Sequence, residues 1–381
     1  MNITREAAMN ELTRPAEIFH AGEFLKEEIE ARGLTQAALA EIIGRPTQAV
    51  SEIILGKRGI TPETAKGLAA AFGTSAEYWM NLETAYQLSR VSVQEEEVSQ
   101  RAKLYERFPV KEIIKRGWVE RSENPTVLEQ RFLDFFGINS VDETPSFSYA
   151  GKKQCYSSDS MQQIAWVRRA RQLAEVAQAE DFNKSTINGL IEELKSRRQF
   201  VESIREIPVI LSQYGIRLII VESIPGMKMT GACFWLSKNK PVIALTLTYD
   251  RIDNLWYTLF HELDHVAHEE GRESPIMDNL VPEKSENNLP DIERRANDVA
   301  RQNVVDPDEL EGFIARVNPI FTAEQIKGFA KRVNVHPGIV VGQLHNRRLI
   351  HFSVHRTMLE KIRVHLVGEA LTDGFGRMPQ L

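Results

Sequence analysis

The sequence is short of cysteine, of long apolar runs and of net positive charge, and each shortage excludes something. Two cysteines among 381 residues, Cys155 and Cys233, stand far apart without the paired spacing of a metal knuckle. A disulfide scaffold is excluded, and two free or buried thiols in a reducing compartment are expected. No apolar run is long enough to cross a bilayer, so no membrane partner is expected. The opening stretch "MNITREAAMNELTRPAEIF" lacks a basic segment followed by an apolar one. It does not read as a secretory signal, and the cytoplasm is the expected location. Net charge is −6, which excludes a chain coated in nucleic acid but not one local DNA-reading patch. No fixed internal period stands out. What remains is 42% hydrophobic and 26% charged, the composition of a soluble globular chain long enough for two or three domains.

Residues 17–90 read as short helices with tight joints. In "AGEFLKEEIEARG", Ala21, Phe24, Leu25 and Ile29 share one helical side, and Gly33 is placed to end it. In "LTQAALAEIIGRPTQAVSEIILGKRGIT", Thr35 can cap a helix running to about Ile43, and Gly44 suits the left-handed residue of a sharp turn. A second helix follows over Thr47 to Leu55. Counting from Gln36, small Ala40, Gly44 and apolar Val50 and Ile53 fall where two steeply crossing helices need them. Thr47, Gln48, Ser51 and Glu52 then lie on the outer side of the second helix, with Arg45, Lys57 and Arg58 at its ends. Such side chains can read base edges and hold phosphates in a major groove. The competing reading is a small helical bundle with no DNA role, since the module as a whole is not basic.

The stretch from Leu34 through "GKRGITPETAKGLAAAFGTSAEYWMNLETAYQL" resembles the Cro/C1-type helix-turn-helix of the antidote branch of the Xre family. The resemblance covers about a fifth of the chain. It implies a five-helix domain and a repressor that binds a palindromic double-stranded operator as a homodimer, in this branch often as a toxin's antidote.

From Val91 to about Gln199 the sequence is charged and mostly helical in period, and it reads as a spacer or docking region. "FGINSVDETPSFSYAGKKQCYSS" within it reads as a loop. Character changes after Ile207. "GIRLIIVES" is a strand, and "GACFWLSKNKPVIALTL" reads as two strands joined at Lys238–Pro241. "YDRIDNLWYTLFHELDHVAHEEG" is helical, with Leu255, Leu259, Leu263 and Val266 as its core stripe. His261 and His265 lie roughly opposite that stripe, one turn apart. Two imidazoles at i and i+4 can both reach one ion, and Glu262 beside them can take a proton from water. The bland alternative is an ordinary helix with imidazoles on its polar face.

A catalytic site needs a third protein ligand. His268 lies about 10 Å along the axis from His261 and cannot share the ion on a straight helix. "DIERRANDVARQNVVDP" offers Glu293 on an amphipathic helix where small Ala296 permits close packing, with Asp291 as the competitor. His268 and Tyr257 are candidates for supporting the ligands or an oxyanion, although a structural role is the stronger reading for each.

"TGACFWLSKNKPVIALTL", "LWYTLFHELDHVAH" and "ERRANDVA…VVDP" together resemble the ImmA/IrrE metallopeptidase family, and "IKGFAKRVNVHPGIVVGQL" resembles its C-terminal portion. The resemblance implies zinc (Zn2+) held by His261, His265 and Glu293, with Glu262 as catalytic base for peptide hydrolysis. A regulatory protein, the chain itself or a toxin is the expected substrate or partner. An extended substrate is expected to pair with a strand edge near residues 232–247. Two departures stand out: Asp264 where the family usually has a small residue, and Arg295 where it commonly has glutamate. The first bears on turnover, the second on the choice of third ligand. The alternative to an enzyme is a binding protein, an antidote that represses its own operon and uses the metal fold as a scaffold.

The expected class is therefore α+β and mostly helical. A tail (1–16) precedes the helix-turn-helix domain (17–90) and a helical linker (91–205). A zincin-like domain with a small sheet and the His-Glu-x-x-His helix (206–350) follows, then a C-terminal tail (351–381).

Overall fold

A computed structural model describes residues 18–90, 95–149, 152–155, 160–279, 289–366 and 371–373. The chain divides into two compact units, 1–95 and 96–381. Among the described residues no helix is long and apolar enough to cross a membrane.

Among the described residues the first unit holds α1 (Ala21–Ala31), α2 (Gln36–Ile42), α3 (Thr47–Ile54), α4 (Pro62–Phe72) and α5 (Ala76–Arg90). Thr35 caps α2 by accepting from the Ala38 amide. Gly44 turns the chain at φ 62°, a left-handed conformation in which a side chain would be strained. Of the apolar positions expected to bind these helices together, Ala21, Leu25, Ile29, Ala40, Val50 and Ile53 are buried in one core with Trp79, and Phe24 is half-buried against it. Two close approaches fix the packing. A Cβ on Gly22 of α1 would lie 2.0 Å from the Ile53 carbonyl oxygen of α3. One on Gly59 would lie 2.6 Å from Oε1 of Glu83, a buried carboxylate that accepts the Ile60 amide at 3.0 Å.

The second unit is built on a five-stranded sheet in the order β6-β4-β5-β3-β7. Its strands are β3 (Arg217–Val221), β4 (Met229–Trp235), β5 (Pro241–Leu245), β6 (Ile276–Asn279) and β7 (Leu371–Asp373), with β1 and β2 elsewhere. β3 runs parallel to β5 and β7, while β4 runs antiparallel to β5 and β6. Side chains alternate between two cores, as a pleated strand requires. Leu218, Ile220, Cys233, Trp235, Ile243 and Leu245 enter one; Ile219, Val221, Ala232, Phe234, Val242 and Ala244 enter the other.

The first core is closed by the metal-motif helix α12 (Ile252–Ala267) and by helices α10 (Ile187–Ser196), α11 (Ile207–Gln213), α13 (Asp291–Val304), α14 (Pro307–Val317), α15 (Ala323–Arg332) and α16 (Pro337–Asn346). The second is closed by α6 (Glu95–Arg107), α7 (Val110–Lys115), α8 (Pro125–Phe136) and α9 (Met161–Val176). Of residues 91–205, expected as a linker, helices α6 to α9 thus supply a layer over one face of the sheet, while α10 joins the core on the other face. The physical reason is that the sheet is apolar on both faces, and Phe132, Phe136 and Trp166 cover the second. Within the stretch expected as a loop, the backbones of β1 (Ser146–Tyr149) and β2 (Lys152–Cys155) pair antiparallel. Residues 351–381, expected as a tail, include α17 (Arg363–Leu366) and β7. Asp373 of β7 is buried and ion-paired with Arg169 of α9. The expected tail 1–16 lies outside the described residues.

Candidate metal centre and nucleic-acid interface

Helix α12 sits by its apolar stripe, since Leu255, Leu259, Leu263 and Val266 are all buried. Its other side presents His261 and His265, whose Nε2 atoms are 3.1 Å apart. Helix α13 packs against it through fully buried Ala296 and Ala300, and this close approach brings Glu293 in. Glu293 Oε2 lies 3.3 Å from His261 Nε2, and Oε1 lies 3.8 Å from His265 Nε2. Asp291, the competing carboxylate, is 89% exposed and pairs with Arg294.

The fourth member was not anticipated. Asp278, on edge strand β6, places Oδ2 3.1 Å from His261 Nε2 and Oδ1 3.9 Å from His265 Nε2. One ligand atom from each of His261, His265, Asp278 and Glu293 lies within 4.8 Å of the others. Donors about 2.0–2.2 Å from a tetrahedral zinc stand roughly 3.3 Å apart, so both the spacing and the imidazole–carboxylate set fit that ion. The cluster is buried but not sealed. A cleft of about 530 Å³ reaches His261, Asp278 and Glu293 and is also lined by Tyr257, Arg301 and Gln343.

The electrostatics of the protein groups favour a cation here. Burial opposes charge on His261, yet the Asp278 and Glu293 carboxylates outweigh it and raise the imidazole to about 10. Glu262 is fully buried; burial first, then the neighbouring Asp278 charge, push its carboxyl well up, towards the neutral form. Burial also disfavours the Asp278 charge, but His261 wins and holds it low. Neither Glu262 nor Asp278 accepts a well-formed hydrogen bond at either oxygen among the described residues. Glu262 also dictates a glycine: a Cβ on Gly231 of β4 would stand 2.1 Å from its Oε1.

Asp264 and Arg295, the two residues that stood out in the sequence, meet in the structure. Arg295 Nε donates to Asp264 Oδ2 at 2.8 Å, and its terminal nitrogen donates to Glu270 Oε2 at 2.7 Å. That same Glu270 oxygen lies 2.7 Å from His265 Nδ1. Asp264 is therefore buried and paired rather than pointing at the metal side or at water. Arg295 and Asp264 together brace the carboxylate that orients His265, a role the sequence did not reveal for Glu270. Burial works against the Glu270 charge, but Arg295 and His265 outweigh it and hold the carboxyl below its ordinary range. Among the described residues His261 has no such brace, as its Nδ1 finds no hydrogen-bond partner there. His268 is not in the cluster; it is about half exposed at the end of α12, bound to the Asp264 carbonyl at 2.9 Å. Tyr257 lines the cleft and donates to Asn297 Oδ1 at 2.5 Å.

In the first unit, Gln36, Arg45, Thr47, Gln48, Lys57 and Arg58 are exposed, and Ser51 and Glu52 are half-buried. The Glu52 carboxylate does not stand alone. It accepts from Gln48 Nε2 at 3.0 Å and pairs with Arg58 at 3.1 Å, which blunts its repulsion of a phosphate.

Comparisons with known proteins bear on the first unit. Residues 25–79 match the helix-turn-helix family model. The chain is 41% identical over 70 residues to Virulence-associated protein I of Dichelobacter nodosus, covering 18% of this chain and 65% of that protein. It is 41% identical over 75 residues to Virulence-associated protein A of the same organism, covering 19% and 74%. Antitoxin HigA-1 of Vibrio cholerae is 43% identical over 68 residues, covering 18% and 64%. The chain thus spans about two thirds of the first of these relatives. Among solved structures, an addiction module antidote protein of a HigA family from Coxiella burnetii is 40% identical, covers 19% of this chain and 79% of its own, and has a TM-score of 0.19. The Pseudomonas aeruginosa antitoxin HigA with higBA promoter is 35% identical, covers 19% and 80%, and has the same TM-score.

Proposed function

Residues 25–79 make this chain a member of the helix-turn-helix family, and on that premise we propose that it is a DNA-binding transcriptional regulator carrying a zinc centre of metallopeptidase type. The observation that carries the second half is the convergence of His261, His265, Asp278 and Glu293 beside a buried glutamate. For the first half, support comes from the exposed residues around α3 and from relatives named as antitoxins, one of them solved with its promoter. The operator-bound form is a homodimer on two half-sites, the arrangement that short helix-turn-helix modules use.

His261, His265 and Glu293 would hold the ion, and Glu270 fixes the ring of His265 through Nδ1. Zinc in such a place supplies Lewis-acid polarisation of a carbonyl and acidification of a water. With a cation at the cluster to offset its burial, the Glu262 carboxylate would take a proton from the attacking water and pass it to the leaving amide nitrogen. The cleft accepts an extended segment of a regulatory protein, or of this chain.

Metal analysis of protein purified without added metal tests the centre, with His265→Ala as control. Zinc retained by the parent and lost from the variant is expected, while mobility shifts on DNA upstream of its own gene stay equal. A metal-free parent, or a variant that keeps its zinc, sinks the assignment. The likeness to Antitoxin HigA-1 favours a second reading, an antidote that binds a toxin without cleaving it. A toxin-like frame beside the gene, whose product co-purifies intact, is the outcome that reading requires.

A further inference from the structure

The sequence led us to expect that an extended substrate pairs with the strand edge near residues 232–247. That edge is taken. β6 lies antiparallel along β4, with Ala232 opposite Met277 and Cys233 opposite Ile276, and after an irregularity Gly231 faces Asp278. β6 is itself the edge of the sheet and is four residues long. Its one ionised side chain, Asp278, is 7% exposed and lies against both imidazoles.

Burying a carboxylate without hydrogen bonds costs several kcal/mol unless a cation meets it. A metal-binding cluster of two imidazoles and two carboxylates has four protein donors. Structural zinc sites are closed by four protein ligands, whereas catalytic sites leave one position for water or substrate. Resting on the zinc reading above, we propose that β6 is a built-in blocker. It lies where a substrate strand would pair, and Asp278 fills the coordination position that a substrate carbonyl or water would use. The centre opens when an extended segment of a partner protein displaces β6 from β4 and draws Asp278 away. This accounts for a cleft that reaches the metal ligands and yet meets a carboxylate where an open position belongs.

Cobalt(II) in place of zinc gives a spectroscopic test in the full-length chain, and acetohydroxamate, a small bidentate metal binder, serves as probe. In the parent the visible bands should be those of a four-coordinate ion and should not change when the probe is added. In Asp278→Ala the probe should bind about tenfold more tightly or better and alter the bands. Asp278→Asn, which keeps the shape, should behave in the same direction and guards against a misfolded alanine variant. A parent that binds acetohydroxamate as tightly as either variant overturns the blocker while leaving the zinc reading intact. A parent that takes up no cobalt, or takes it up equally with His265→Ala, overturns the zinc reading and the blocker with it. If both variants fail to fold, parent cobalt bands that change on adding acetohydroxamate overturn the blocker, and bands that stay unchanged support it.

Discussion

The two units place their chemistry in opposite ways. In the first, residues proposed to touch DNA sit on the outside of a short stretch, from Gln36 to Arg58, and most are exposed. In the second, the chemically interesting groups come from α12, β6 and α13, and His261, Glu262, His265 and Asp278 are all buried. A surface site can tolerate an imperfect neighbour because water covers the shortfall. A buried one cannot, so each charge must be matched within the protein or by an ion. The difference predicts where single substitutions will hurt: through affinity alone at the surface, through the whole local network in the interior.

The largest expected effect is at Arg295, whose loss strands two carboxylates at once. Asp264 would be buried without its guanidinium, and Glu270 would be freed from the geometry that holds His265 Nδ1. Arg295→Ala should weaken zinc binding by about 10–100-fold, the scale on which residues behind a ligand act. Competition with a chelator of known affinity measures it. DNA binding by the same protein should be unchanged, and an equal loss there would break the contrast between the units.

How far the sequence revealed each unit follows the same contrast. Thr35, Ala40, Gly44, Val50 and Ile53 act on neighbours a few residues away, so spacing alone exposed the turn. His261 and His265 share a helix face and were equally legible, and small Ala296 was the sign that the helix carrying Glu293 packs close. Asp278 was invisible because strand pairing, not spacing, carries it to the cluster. Glu270, five residues past His265, could have been found as an acid within reach of the helix end. Asp264 and Arg295 read as two unrelated oddities because only the packing of α12 on α13 joins them. The middle region read as a spacer since its charge dominates the period. Its aromatic content, with Trp118, Phe132, Phe135, Phe136 and Trp166, was the available sign that it covers a sheet.

A smaller effect tests the interior of the first unit, where the contrast is least sharp. Glu83 is its one buried acid among the described residues, accepting from the Ile60 amide and from Gln87 Nε2 at 2.7 Å. It ties α5 to the "GKRGIT" loop beside the proposed DNA face. Glu83→Ala leaves the Ile60 amide without its partner and should cost about 1–3 kcal/mol. Hydrogen exchange over residues 20–88 in the full chain reads this directly, and zinc content should not move. Undiminished protection there would mean that the loop is held by packing alone.

The smallest effect is expected at Lys57, which is exposed and forms no ion pair among the described residues. Its backbone amide is anchored to the Glu52 carbonyl at 2.8 Å, so its position just past α3 is fixed although its side chain is not. A lysine so placed neutralises a phosphate and reads no base. Lys57→Ala should therefore weaken binding evenly across operator variants and lower the slope of log affinity against log salt by about one. Arg58 is the less clean choice, because removing it also uncovers the Glu52 carboxylate and changes two charges at the interface. If Lys57→Ala leaves the salt slope unchanged, the phosphate path does not pass this end of α3. A change confined to one operator sequence would instead make Lys57 a reader of bases, and the exposed face would need to be redrawn around it.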